Sequence, residues 1–79
     1  MTNKEKYEKI FMENFSLDKN VLAGDLEYNN TPGWDSIGHM TMIAAIEDTF
    51  NIVMESDDIM NFSSYKKGFE ILAKYKIEF

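Results

Sequence analysis

The sequence predicts a small all-α protein, and three observations support this fold class. Apolar residues recur at helical spacing over most of the chain. Only residues 52–54 look like a strand, and so short a segment cannot form a sheet. The chain has 79 residues and no cysteine, so helix packing must stabilise it without disulfides. We predict a single domain, residues 1–79, folded as a four-helix bundle with three longer helices, a short third helix and a long loop between helices one and two.

The first helix is predicted to run from about residue 3 to residue 15. Thr2 and Glu5 have the spacing of a capping box, and apolar residues follow at helical intervals. The connection over residues 16–33 contains the turn residues Gly24 and Pro32. A loop this long in a compact domain is normally functional or held down by its own side chains. The apolar residues expected to anchor it are Leu17, Val21, Leu22, Leu26 and Tyr28.

The second helix should begin at Asp35 or Ser36 and end near Phe50, with Asn51 as its terminator. Its apolar residues follow a helical period and predict a broad buried face. The residues expected on that face are Ile37, Met40, Ile43, Ala44, Ile46 and Phe50.

The two remaining helices are marked by serine caps. Ser56 is expected to cap a short third helix with Asp57 and Asp58 in its first turn, where the helix dipole favours acids. Ser63 or Ser64 should cap a last helix, which Gly68 weakens by about 1 kcal/mol relative to alanine. The residues of this last segment expected to face inward are Phe69, Leu72, Ala73 and Tyr75.

The net charge of −6 is concentrated in the middle of the chain. Residues 21–64 contain eight acids and no lysine or arginine. These acids are Asp25, Glu27, Asp35, Glu47, Asp48, Glu55, Asp57 and Asp58. Such a surface repels nucleic acids and anionic membranes and favours basic patches on proteins. No apolar run approaches the roughly 18 residues of a membrane span, so we expect a cytoplasmic monomer that neither binds nucleic acid nor inserts into membranes.

The segment Trp34-Asp35-Ser36-Ile37 places a nucleophilic hydroxyl at the start of the second helix. A serine there lies near unpaired backbone N–H groups and the positive end of the helix dipole, where a phosphate is well tolerated. For an isolated Asp-Ser pair, a simple helix cap is the better explanation. Here the pair also has an aromatic residue before it, apolar residues after it and an acidic surround, which together favour a functional serine.

These features resemble those of the acyl carrier protein family, whose signature is Asp-Ser-Leu or Asp-Ser-Ile at the start of the second helix. The resemblance covers essentially the whole chain and is most specific over residues 33–40. It implies that a separate transferase attaches 4′-phosphopantetheine from coenzyme A to Ser36, and that the thiol of this arm holds acyl groups as thioesters. It further implies a carrier without catalytic residues or a metal site.

The resemblance also assigns roles around Ser36. It implies that Asp35 takes part in recognition by the phosphopantetheinyl transferase. The other implied partners are an acyl ligase and an acyltransferase or synthase with basic docking patches. The residues expected at partner surfaces are Ile37, Met40, Glu47, Asp48, Asp57 and Asp58. For the cargo, we expect an apolar cleft between the second and third helices, with the third helix as its gate. The cleft residues are Ile59, Met60 and Phe62, together with Ile37 and Met40.

One feature separates this chain from carriers of the fatty-acid type. Those carriers usually have acids in the first half of helix two, where this chain has Gly38, His39, Thr41 and Met42. We therefore expect a specialised standalone carrier. Alternatives are an aminoacyl or peptidyl carrier, and an unmodified acidic helical adaptor for a basic partner. A catalytic Ser36–His39 pair is disfavoured because no orienting acid is evident, so His39 is expected at the partner surface or against the arm.

Overall fold

The computed structural model describes residues 1–22 and 26–79, and it confirms the predicted all-α class. In the described part of the chain, the helices are α1 (Asn3–Phe15), α2 (Ser36–Phe50), α3 (Ser56–Asn61) and α4 (Tyr65–Ala73), with a 3-10 turn at Lys19–Val21. Gly24, predicted as a turn residue, and Asp25, one of the central acids, lie outside the described residues. No helix in the described ranges combines the length and the apolar character needed to cross a membrane.

The boundaries of α1 and α2 follow from local capping. Thr2 and Glu5 form the predicted capping box at the start of α1. Asp35 caps α2 by accepting a hydrogen bond from the backbone N–H of Gly38 at 2.9 Å. Asn51 ends α2 in the left-handed conformation, with φ 54°. These interactions join residues close in sequence, which explains why the predicted boundaries are confirmed.

The predicted buried face of α2 is confirmed for Ile43 and Ile46 and in part for Phe50, but it is wrong for Ile37, Met40 and Ala44. The buried residues of this helix are His39, Met42, Ile43 and Ile46. Ile37 is 81% exposed and Met40 is 53% exposed, and Ala44 also faces solvent. Apolar residues occur on nearly every side of α2, so composition does not mark the face that packs. The helix buries one stripe and leaves apolar side chains on the surface near Ser36.

The loop between α1 and α2 is attached to the start of α4. Tyr28 donates its backbone N–H to the carbonyl of Ser63 at 2.9 Å, and Tyr65 donates to the carbonyl of Leu26 at 2.9 Å. Of the five predicted anchors, Leu22 is buried and Leu17 and Leu26 pack partly buried against the core. Val21 and Tyr28 are exposed, so neither side chain anchors the loop by burial, although the Tyr28 backbone holds the loop to Ser63. The attachment nevertheless brings Tyr28 beside the start of α2.

The short helix α3 is fastened to the end of α4 by the buried carboxylate of Asp58. This carboxylate accepts hydrogen bonds from Lys74 Nζ and from the Tyr75 hydroxyl, each at 2.6 Å. These bonds, first that from Lys74 and then that from Tyr75, hold the pKa of Asp58 below its usual value. The first residue before α3 is Glu55, so the prediction of Ser56 as its cap is wrong by one position.

The last helix, α4, closes the aromatic core. Ser64 caps it by accepting from the backbone N–H of Lys67 at 2.9 Å, and Leu72 is buried as predicted. Ala73 is exposed rather than inward-facing, and Phe69 and Tyr75 are only partly buried. The core that α4 joins contains many aromatic rings. Its buried aromatic residues are Tyr7, Phe11, Phe15, Trp34, Phe62 and Tyr65.

Candidate functional site

Ser36 is the first residue of α2 and its side chain is exposed. Its hydroxyl oxygen lies 3.1 Å from the hydroxyl oxygen of Tyr28, so the two groups share a hydrogen bond. The Tyr28 ring meets the His39 ring edge-on, with centroids 5.4 Å apart. Sequence reasoning missed this role of Tyr28, because nothing in the sequence shows that the loop returns to the start of α2.

Ser36 opens onto a pocket of about 360 Å³ between α2, α3 and the long loop. The residues that line it are Tyr28, Ser36, His39, Met40, Ile59, Met60 and Ser63. Three predicted cleft residues, Met40, Ile59 and Met60, are therefore brought together here. Phe62 is instead buried in the aromatic core, and Ile37 points to solvent outside the lining. The assignment of Phe62 and Ile37 to the cleft wall is thus not supported.

His39 is buried at the inner end of this pocket, 9% exposed. The structure contradicts its predicted place at the partner surface, whereas the alternative place against the arm stays a prediction. The indole N–H of Trp34 donates to His39 Nδ1 at 2.9 Å. Because an indole nitrogen can only donate, Nδ1 must accept and the proton of the neutral ring lies on Nε2. His39 Nε2 then donates to the carbonyl oxygen of Ile59 at 2.8 Å. We call this chain of contacts, Trp34–His39–Ile59, the polar bridge.

The polar bridge joins α2 to α3 through both ring nitrogens of His39. Both ring nitrogens are engaged by Trp34 and Ile59, so neither is available to Ser36. Leaving a buried polar group unpaired costs about 1–3 kcal/mol, whereas each buried methylene contributes about 0.8 kcal/mol. Opening the bridge leaves the buried nitrogens of Trp34 and His39 unpaired. The free-energy cost of this exceeds the free energy gained by burying one or two methylenes.

The four predicted partner acids have different environments. Asp48 and Asp57 are exposed. Glu47 is partly buried and accepts a hydrogen bond from the backbone N–H of Met54 at 2.8 Å, which holds the segment after α2. The side chain of Asp58 is only 8% exposed and is bound by Lys74, so its prediction as a partner-binding acid is wrong. The sequence could not reveal this, because the partners of Asp58 are Lys74 and Tyr75, which follow α4 and are 16 and 17 positions away.

Three known proteins with similar sequences are each described as an acyl carrier protein. An acyl carrier protein of Lactobacillus johnsonii is 28% identical over 79 aligned residues, which take in 96% of this chain and 99% of that protein. The acyl carrier protein of Guillardia theta is 27% identical over 89% of this chain and 86% of its own length. That of Cyanidium caldarium is 28% identical over 86% of this chain and 79% of its own length. The chain is therefore similar in sequence to acyl carrier proteins over most of its length.

The similarity to acyl carrier proteins agrees with the helical architecture and with Ser36 at the start of α2. No family model matches the sequence, and no solved structure matches it. The geometry around Ser36 fits a phosphopantetheine arm. The Ser36 hydroxyl is exposed for modification, a hydroxyl donor lies beside it, and a pocket with apolar walls begins at the same residue.

Proposed function

We propose that this protein carries acyl groups as thioesters on a 4′-phosphopantetheine arm attached to Ser36, and delivers them to partner enzymes in the cytoplasm. The observation that carries the proposal is the exposed Ser36 hydroxyl, which opens onto an apolar-walled pocket at the start of α2. The acyl carrier proteins similar to this chain support the same function. In this proposal the protein is a carrier, and its partners perform the catalysis.

Ser36 Oγ is the atom that forms the new bond. It attacks the phosphorus of coenzyme A next to the pantetheine, the bond from that phosphorus to adenosine 3′,5′-bisphosphate breaks, and the serine proton passes to a base of the transferase. The first N–H groups and the dipole of α2 stabilise the resulting phosphodiester charge. Tyr28 can donate its hydroxyl hydrogen to the same group. Once attached, the arm supplies the thiol that holds the cargo.

The surface around Ser36 supports docking of several partner enzymes. We propose that the phosphopantetheinyl transferase recognises Asp35. The exposed side chains of Ile37 and Met40 provide an apolar contact surface beside Ser36. Asp48 and Asp57 add exposed negative charge, which attracts basic patches and speeds encounter. The proposed partners are this transferase, an acyl ligase, and an acyltransferase or synthase with basic docking patches.

Replacing Ser36 with alanine is expected to abolish modification. The wild-type protein, incubated with coenzyme A and a broad-specificity phosphopantetheinyl transferase, should gain the mass of one phosphopantetheine. Ser36→Ala should gain nothing, because the attacking oxygen is gone. Ser63→Ala is a matched control, since Ser63 lines the same pocket and should leave the adduct intact. Intact mass spectrometry makes the measurement.

The alternative functions give different results in this experiment. A wild-type protein that remains unmodified with every tested transferase would favour the unmodified acidic adaptor. An adduct that a purified adenylating enzyme loads with an amino acid would favour the aminoacyl or peptidyl carrier. The carrier of acyl groups requires both the single adduct and its loading with an acyl group.

We further propose that the pathway is a specialised one, distinct from general fatty-acid synthesis. The first half of α2 presents Thr41 and Met40 to solvent and Asp35 only at its cap, so it has no row of acids for a basic partner. Modified protein is expected to support fatty-acid elongation by purified synthase enzymes at least about tenfold more slowly than their own carrier, because of the weaker charge attraction. Elongation at full rate would contradict this assignment.

A further inference from the structure

The polar bridge closes the inner end of the pocket beside Ser36. His39 lines the pocket, and behind it lie the rings of Trp34 and Phe62, with centroids 6.2 Å and 6.3 Å from the imidazole. Trp34 is 1% exposed and belongs to the aromatic core. His39 is therefore the boundary between the pocket and the core.

We propose that His39 determines the size of the cargo and that the polar bridge restricts this carrier to short acyl groups. This inference rests on the carrier function proposed above. A longer chain would need space either inward past His39 or outward across Met40 and Met60. Inward, it must separate hydrogen bonds that pair the buried nitrogens of Trp34 and His39. Outward, it would lie across the exposed side chains of Met40 and Met60, so only one side of the acyl chain would leave water and the gain per methylene would be smaller.

The attachment of α3 strengthens this limit. Widening the pocket requires α3 to move away from α2, and Ile59 in α3 is held by His39. The neighbouring Asp58 is also held, by Lys74 and Tyr75 at the end of α4. The pocket volume of about 360 Å³ is near the lower end of the roughly 300–1,000 Å³ found for ligand pockets. A small cargo thus fits the pocket as it stands, without movement of α3.

A series of cargo lengths tests the proposal. Arms bearing acetyl, butyryl, hexanoyl, octanoyl and decanoyl groups are attached to Ser36 from the acyl-coenzyme A compounds, and intact mass confirms each adduct. The thermal unfolding midpoint of each form is then measured. In the wild type the midpoint should rise as far as butyryl and then stay within about 1 °C, because further methylenes find no buried space. In His39→Ala it should continue to rise by several degrees through octanoyl, since the inner end is open.

Two further variants serve as controls. Thr41→Ala, on the exposed side of α2, should show the same dependence of the unfolding midpoint on acyl length as the wild type. His39→Gln, whose amide can still donate to the Ile59 carbonyl, should also keep the plateau, and a series like that of His39→Ala would overturn the role of the bridge. A wild-type midpoint that climbs steadily to decanoyl would overturn the size limit, even if His39→Ala does not fold. Failure to obtain any adduct would instead overturn the carrier function itself, and the inference with it.

Discussion

Replacing Gly68 with alanine is expected to destabilise the protein by about 2 kcal/mol, although alanine is the better helix former. Gly68 is buried in α4, and a methyl group there would overlap the Tyr7 hydroxyl and the Phe62 ring. Neither neighbour can move freely, because Tyr7 donates its hydroxyl hydrogen to the Tyr65 carbonyl at 2.7 Å and both rings lie in the core. Urea denaturation of the wild type and of Gly68→Ala measures the difference in their free energies of unfolding.

The matched control separates packing from helix propensity. Lys66 is exposed in the same helix, so Lys66→Ala and Lys66→Gly should differ only by propensity, with the glycine variant less stable by about 1 kcal/mol. At Lys66, alanine should therefore be more stable than glycine. At Gly68 the order should be reversed, with alanine less stable than glycine. A Gly68→Ala protein more stable than the wild type would show that the close approach of α4 to Tyr7 and Phe62 is wrong.

Replacing Gly38 with alanine is expected both to destabilise the protein, by about 1–3 kcal/mol, and to slow the modification of Ser36. A methyl group on Gly38 would overlap the carbonyl oxygen of Gly33 and press on the Phe15 ring. Gly33 itself has φ 88° in the turn that leads to Asp35 and cannot shift without moving that turn. Because Asp35 caps α2 through the N–H of Gly38, displacement of the turn moves Ser36 away from its position.

The rate of phosphopantetheine transfer distinguishes a local effect from general instability. The comparison is made at a temperature where both Gly38→Ala and Gly68→Ala are folded, as judged by circular dichroism. Gly68→Ala, whose defect lies in the core, should be modified at close to the wild-type rate. Gly38→Ala should be slower by about tenfold if Ser36 is misplaced. Equal rates for the two variants would contradict a role of Gly38 in positioning the serine.

The two glycines illustrate what a single sequence conceals. By propensity alone, Gly68 is a weakness in α4, and Gly38 is a departure from the pattern of acidic carriers. The structure gives both a physical reason, which is the close approach of another segment. No periodicity or spacing of residues in the sequence predicts such an approach, because it depends on how two segments cross in the folded chain. The same holds for Tyr28, which reaches Ser36 only because its loop is attached to the start of α4.

The sequence by itself determined the all-α class, the order of the helices and the position of Ser36 at the start of α2. These depend on caps, breakers and apolar spacing, which act between residues a few positions apart. Only the tertiary structure decided which face of α2 is buried, where His39 points and that Asp58 is hidden from partners. His39 meets Ile59 across 20 positions, and Asp58 meets Tyr75 across 17. Such contacts form only when distant segments pack together, and local chemistry does not specify which segments those are.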